Sequence, residues 1–146
     1  MSAVTDPHRA TDAFHVYDTT LRDGAQGEGM ALTVADKLAI AQHIDDLGVG
    51  FIEGGWPGAL PKDTEFFRRA RTELTLKNAV LTAFGSTRKA GVKAADDPQV
   101  AALRDSEAQV VCLVAKSHDR HVTDALRTTL DENLAMIRDT VVHLTR

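Results

Sequence analysis

The chain has 146 residues, 43% of them hydrophobic and 26% charged, with a formal net charge of −4. That suffices for one globular domain with a real core, and its charge gives no reason to invoke nucleic acid or an anionic membrane surface as a partner. No apolar run approaches the roughly 20 residues of a membrane span.

Residues 1–12 are polar and lack an apolar segment, so they read as a loose tail rather than a signal peptide. Phe14 to Leu21 is rich in aromatic and β-branched residues and predicts a first strand. Gly24, Gly27 and Gly29 then break any regular element. Between strand and turn stand Arg22 and Asp23, which at a strand's end make either an ion-pair turn or a working site.

Thr33 followed by Asp36 predicts a capped helix. Val34, Leu38, Ala41, Ile44 and Leu47 form its apolar face, and Gly48 stops it. Gly50 to Glu53 is a short apolar strand ending on a carboxylate, and residues 54–58 force a loop. Gly54 and Gly55 permit close backbone approach, but their spacing is not that of a phosphate-binding loop. Asp63 is expected to cap the next helix, which faces inward with Phe66, Phe67, Ala70 and Leu74.

Ala79 to Phe84 predicts the third strand, with Gly85 to Lys89 as its polar exit. Asp97-Pro98 starts a helix, with proline at the first helical position. Val110 to Ala115 predicts the fourth strand. Cys112 lies in it, the chain's one cysteine; it reads as a buried structural thiol and suits a reducing compartment. Lys116, Ser117 and His118 exit that strand, and the loop to Thr128 has room for a helical turn. His118 and His121 lack a third ligand and read as surface histidines. Thr129 and Glu132 predict a second capping box, and Leu130, Leu134, Ile137, Val141 and Leu144 the inner face of the last helix.

The order is strand then helix, four times. Such repeats imply right-handed crossovers and neighbouring parallel strands. Arg22, Asp23, Glu53, Ser86, Arg88, Lys116 and His118 all fall at or just past strand C-terminal ends. In a parallel β/α array those ends share one rim, where sites are built.

The segment Asp18-Thr19-Thr20-Leu21-Arg22-Asp23-Gly24-Ala25-Gln26 resembles the first-strand signature of the pyruvate-carboxyltransferase-like, HMG-CoA lyase-like metal enzymes. Residues 52–58, 84–88 and 126–130 resemble the citramalate synthase branch, related to isopropylmalate and homocitrate synthases. Two positions depart from that branch: Leu60 where a polar Asn is expected, and His118 where Trp is expected.

The resemblance implies an α/β fold, the N-terminal half of a (β/α)₈ barrel over residues 13–146, since a whole barrel needs about 250 residues. It implies a cytoplasmic acyltransferase. Acetyl-CoA would condense with a 2-oxo acid, pyruvate giving (R)-citramalate, on the route to isoleucine. Asp23 would ligate a divalent metal (Mg²⁺, Mn²⁺ or Zn²⁺) and Arg22 would be the catalytic cation. Arg22, Gln26, Glu53, Ser86 and Arg88 would meet substrate. The implied partners are the remaining half of the barrel and, in the complete enzyme, a second copy.

The family completes its metal site with a His-x-His pair, which is absent here. The isolated chain is therefore expected to be inactive and to self-associate through open strand edges and an apolar interior. The alternatives are a related acyl-CoA lyase, or a non-enzymatic half-barrel kept as a partner-binding or vestigial piece.

Overall fold

A computed structural model describes residues 14–146; the expected tail, residues 1–12, lies outside the described residues. Four parallel strands pair in the order β1-β2-β3-β4: β1 (Tyr17–Asp18), β2 (Phe51–Gly55), β3 (Val80–Ser86) and β4 (Val110–Val114). The intervening helices are α1 (Val34–Asp46), α2 (Pro61–Glu73), α3 (Pro98–Asp105) and α4 (Leu130–Leu144). This is the repeated strand–helix unit expected from sequence.

The first strand is shorter than its composition suggests. The Asp18 carboxylate accepts from Thr20 N and from its hydroxyl, each at 3.0 Å. The carbonyl of Thr19 then takes the N–H groups of Arg22, Asp23 and Gly24. These bonds compete with the strand ladder and turn the chain at once. Leu21, expected as the strand's end, is instead buried in this turn.

Helix boundaries follow local chemistry. Thr33 and Asp36 form a reciprocal capping box for α1, and Gly48 leaves it at φ +81°. Asp97 accepts from Gln99 N and Val100 N and caps α3. Asp63 does not cap α2; Leu60 occupies that position without a side-chain bond, and Asp63 turns inward. Thr129 caps α4 through Glu132 N, but the Glu132 side chain goes to Arg88 and to Gly91 N. The second box is thus only half formed.

One sheet face and the helices share a single core, with Leu21, Leu38, Ala41, Ile44, Ile52, Phe66, Phe67, Ala83 and Leu103 at its centre. Phe66 and Phe67 are essentially sealed and meet edge to face at 5.4 Å. Each such ring contributes about 1.5–3 kcal/mol by burial. Leu47, expected in this core, is 82% exposed, while Lys37 and Asp45 from the same helix are buried.

The last helix is rotated from its expected face. Asn133, Met136 and Thr140 are buried, whereas Leu130, Leu134 and Val141 are exposed. Polar anchoring sets this rotation: Asn133 Nδ2 donates to Lys116 O at 3.0 Å and Thr140 Oγ1 accepts from Arg88 N at 2.9 Å.

The sheet's other face carries Tyr17, Phe51, Glu53, Thr82, Phe84 and Cys112, given the register and the period of two. The expected apolar interior is therefore partly polar, and Cys112 is half-buried. β1 and β4 are the edges of the sheet among the described residues.

Candidate functional site

The turn after β1 delivers Arg22 to the C-terminal rim. Its Nε donates to Glu53 Oε2 at 2.6 Å and its Nη1 to Asp23 Oδ1 at 3.0 Å. Its guanidinium carbon lies 4.1 Å from the centre of the Phe84 ring, a cation–π distance. Three consecutive strands thus hold one cation: β1 through the chain itself, β2 through Glu53 and β3 through Phe84.

Glu53 is 1% exposed. Its second oxygen, Oε1, accepts from the Tyr17 hydroxyl at 2.8 Å. Tyr17 ionisation is pushed above its ordinary range, first by burial, then by this bond and by the nearby Cys112 thiol. The phenol therefore stays a proton donor at any working pH.

Asp23 contrasts with Glu53. Its side chain is 65% exposed, and its Oδ2 has no hydrogen-bond partner among the described residues. A free carboxylate oxygen suits a hard divalent cation. No group of three His, Cys, Asp or Glu able to hold a metal occurs among the described residues.

Gln26 is exposed and lines a cavity of about 250 Å³ with Arg22, Leu21, Trp56, Leu60 and Lys62. Leu60, the residue that departs from the expected Asn, therefore faces this cavity. Trp56 is its far wall. The indole sits edge-on to Phe84 at 5.2 Å and donates to Gln99 Oε1 at 3.0 Å. Beyond Trp56, a cavity of about 540 Å³ is lined by Ser86, Lys116, Val114, Leu126 and Met136. Another cavity, of about 610 Å³, opens at the opposite end near Leu76 and Gln109, away from this chemistry.

Arg88, expected at the substrate, lines the cavity of about 540 Å³ together with Ser86, and its guanidinium is held by protein acceptors. Its guanidinium donates to Glu132 at 2.7 Å, to Asp139 at 2.8 and 3.1 Å, and to Lys89 O. These bonds clamp the loop after β3 onto α4. His118 and His121 are exposed, with ring centres 5.4 Å apart, and His118 pairs with Asp119.

Sequence reasoning missed the pair Lys37–Asp63. Lys37 Nζ donates to Asp63 Oδ1 at 2.6 Å, and the two residues are 1% and 5% exposed. Asp63 Oδ2 also accepts from Trp56 N at 2.9 Å, so this pair fixes the start of the rim loop after β2. Burial lowers the lysine's proton affinity, while Asp63 opposes that shift. A lysine on the inward face of α1, next to Leu38 and Ala41, was the available signal.

A parallel strand–helix array with an arginine, an exposed aspartate and a buried glutamate at its strand C-termini has the architecture of the N-terminal part of a β/α barrel. The family model named HMGL-like matches residues 13–146, and the chain belongs to that family. The (R)-citramalate synthase of Streptomyces coelicolor is 75% identical over 133 residues, covering 91% of this chain and 25% of that protein. The (R)-citramalate synthase of Aquifex aeolicus is 54% identical over 132 residues, covering 90% of this chain and 25% of that protein. The chain thus spans about a quarter of the length of these relatives.

A solved HMG-CoA lyase from Acinetobacter baumannii shares the fold, with TM-score 0.65 at 19% identity over 89% of this chain and 41% of that one. One from Brucella melitensis gives TM-score 0.61 at 16% identity, over 90% of this chain and 45% of that one. The fold is the N-terminal half of a (β/α)₈ barrel.

Proposed function

We propose that this chain supplies the first-strand part of an acyltransferase site that condenses acetyl-CoA with a 2-oxo acid. Pyruvate, giving (R)-citramalate, is the substrate that the similarity to (R)-citramalate synthases favours. The observation that carries the reading is Arg22, fixed by Glu53, Asp23 and Phe84 beside a carboxylate oxygen with no hydrogen-bond partner among the described residues.

The difficult part of such a condensation is the negative charge that develops on the keto oxygen. Arg22 presents a guanidinium whose Nη2 makes no hydrogen bond among the described residues. It can therefore receive that oxygen or the neighbouring carboxylate without reorganising. A divalent metal, when bound, would add Lewis-acid stabilisation at the same oxygen, and Asp23 Oδ2 would help hold it. Gln26 would present its amide from the adjoining turn, and Ser86 its hydroxyl from the end of β3. Glu53 acts through Arg22, because both its oxygens are already engaged. Arg88 serves the scaffold.

The remaining half of the barrel would supply the other metal ligands and the base that deprotonates the acetyl methyl group. The complete enzyme would be a homodimer of the cytoplasm serving isoleucine synthesis. No helix among the described residues is long and apolar enough to cross a membrane.

The test is co-expression with the C-terminal half-barrel of a relative, followed by thiol release from acetyl-CoA with several 2-oxo acids and added Mg²⁺, Mn²⁺ or Zn²⁺. Release with pyruvate is expected, and Arg22→Lys should lower it by about 10²–10³-fold. Assembled halves that release no thiol with any 2-oxo acid would exclude the transferase.

A further inference from the structure

Glu53 is the hub of the site, and two donors from different places hold it. Oε2 takes Arg22 Nε at 2.6 Å; Oε1 takes the Tyr17 hydroxyl at 2.8 Å. A carboxylate gripped at one oxygen can still rotate about its last torsion, which is broad and nearly two-fold. In rotating it would carry the guanidinium with it. The second donor removes that freedom.

We propose that Tyr17 is a positioning residue: its phenolic proton locks the Glu53 carboxylate, and through it the plane of the Arg22 guanidinium. The inference rests on the reading of Arg22 as the cation of the site.

Three observations support it. The phenol is itself braced, since its ring lies 6.0 Å from that of Phe51, the residue opposite it in the β1–β2 ladder. It also reaches across the concave face, where the Cys112 thiol of β4 approaches it closely enough to disfavour its ionisation. Tyr17 therefore spans from the first strand toward the fourth. Finally, burial and the bond to Glu53 push its ionisation above the ordinary range, so the phenolic donor persists at any working pH. Hydrogen bonds to charged groups are the strong ones, and at a carboxylate as buried as Glu53 they fix geometry as well as energy. A phenylalanine at this position would fill the same space and leave Glu53 Oε1 without a partner.

The experiment needs no reaction. Tyr17 is the only tyrosine and Trp56 the only tryptophan, so spectra of the 146-residue chain are simple to assign. Solvent exchange of the Arg22 Nε–H is measured by nitrogen-15 NMR in the wild type, Tyr17→Phe and Cys112→Ala, together with amide protection in β2 and β3. The expected result is at least tenfold faster Nε–H exchange in Tyr17→Phe, with unchanged amide protection and no effect of Cys112→Ala. Unchanged Nε–H exchange in Tyr17→Phe overturns the proposal. So does an equal acceleration of the strand amides, which would make Tyr17 a stability residue only.

Should Tyr17→Phe fail to fold, Glu53→Gln is titrated by tyrosinate absorbance. A fall in Tyr17 ionisation toward its ordinary value of about 10 supports the bond, and an unchanged titration overturns it. Because the readouts are spectroscopic, failure of the acyl-transfer reading leaves this result intact, and the reverse also holds.

Discussion

Arg22 on the turn after β1 and Glu53 on β2 meet at 2.6 Å across 31 residues of sequence, with the carboxylate 1% exposed and the guanidinium side chain 19% exposed. Removing the carboxylate's charge leaves a half-sheltered guanidinium with only Asp23 and the Phe84 face. Glu53→Gln is expected to cost about 2 kcal/mol, below the 3–5 of a fully buried pair because water still reaches Arg22. Urea unfolding followed by Trp56 fluorescence measures this. A loss under about 0.5 kcal/mol would place the contact among weak surface pairs.

The Lys37–Asp63 pair is more deeply buried and carries a second duty, because Asp63 also holds the Trp56 N–H. Gly55 sits directly against it. That residue has φ +146°, and a Cβ there would stand 2.5 Å from the Asp63 carboxyl carbon. Gly55→Ala therefore strains the backbone and pushes Asp63 off both partners. The expected outcome is a loss of about 3 kcal/mol or more and a red-shifted Trp56 emission as the rim loop loosens. Lys37→Met should shift Trp56 less, because Asp63 keeps its bond to the indole residue's backbone. Equal spectra for the two variants would contradict that order.

These two relationships show what sequence could convey. Arg22, Asp23 and Gly24 are contiguous, and the turn they make depends on near neighbours. The Thr33–Asp36 and Asp97–Pro98 caps are equally local. Asp63 looked like a cap because it follows Pro61, yet its partner lies 26 positions earlier. Arg88 looked like a rim cation because it exits a strand, but its acceptors lie 44 and 51 positions later. For α4 the apolar period was correct and the facing was not. Polar bonds at Asn133 and Thr140 chose the rotation, and hydropathy does not encode them.

Asp45 gives a pH-dependent prediction. It is fully buried and accepts from Lys77 N, Asn78 N and Ala79 N, at 2.7 to 2.8 Å. Burial pushes its pKa up, but the three N–H groups outweigh burial and hold it below the usual carboxylate range. The folded state therefore favours the ionised form more than the unfolded state does. This stabilisation is fully present above the unfolded value of about 3.9 and is lost as pH falls through the lower folded value. Asp45→Asn keeps an acceptor on one side and turns a donor toward an N–H on the other. At pH 7 it should cost about 1–3 kcal/mol. The gap from wild type should narrow below about pH 4. A gap that stays constant from pH 7 to pH 3 would show that the three bonds do not prefer the anion.

The exposed face of α4 supplies the last prediction. Leu130, Leu134 and Val141 are 51%, 63% and 44% exposed, and they recur at helical spacing along one side. Below them a cavity of about 230 Å³ opens between β4 and the end of α4, lined by Val111, Leu113, Val141 and Leu144. Among the described residues, β4 is an edge strand of the sheet, and its edge lies beside this cavity. A contiguous apolar patch next to an open strand edge is prone to self-association. Leu134→Glu with Val141→Lys should therefore reduce concentration-dependent association, read by light scattering, while changing unfolding by no more than about 0.5 kcal/mol, as for exposed positions generally. Should association persist unchanged in this variant, the contact would lie at a strand edge or on the sheet's other face instead. A second variant, with a lysine at Val114 on β4, would then separate the two edges, because only association through β4 would respond to it.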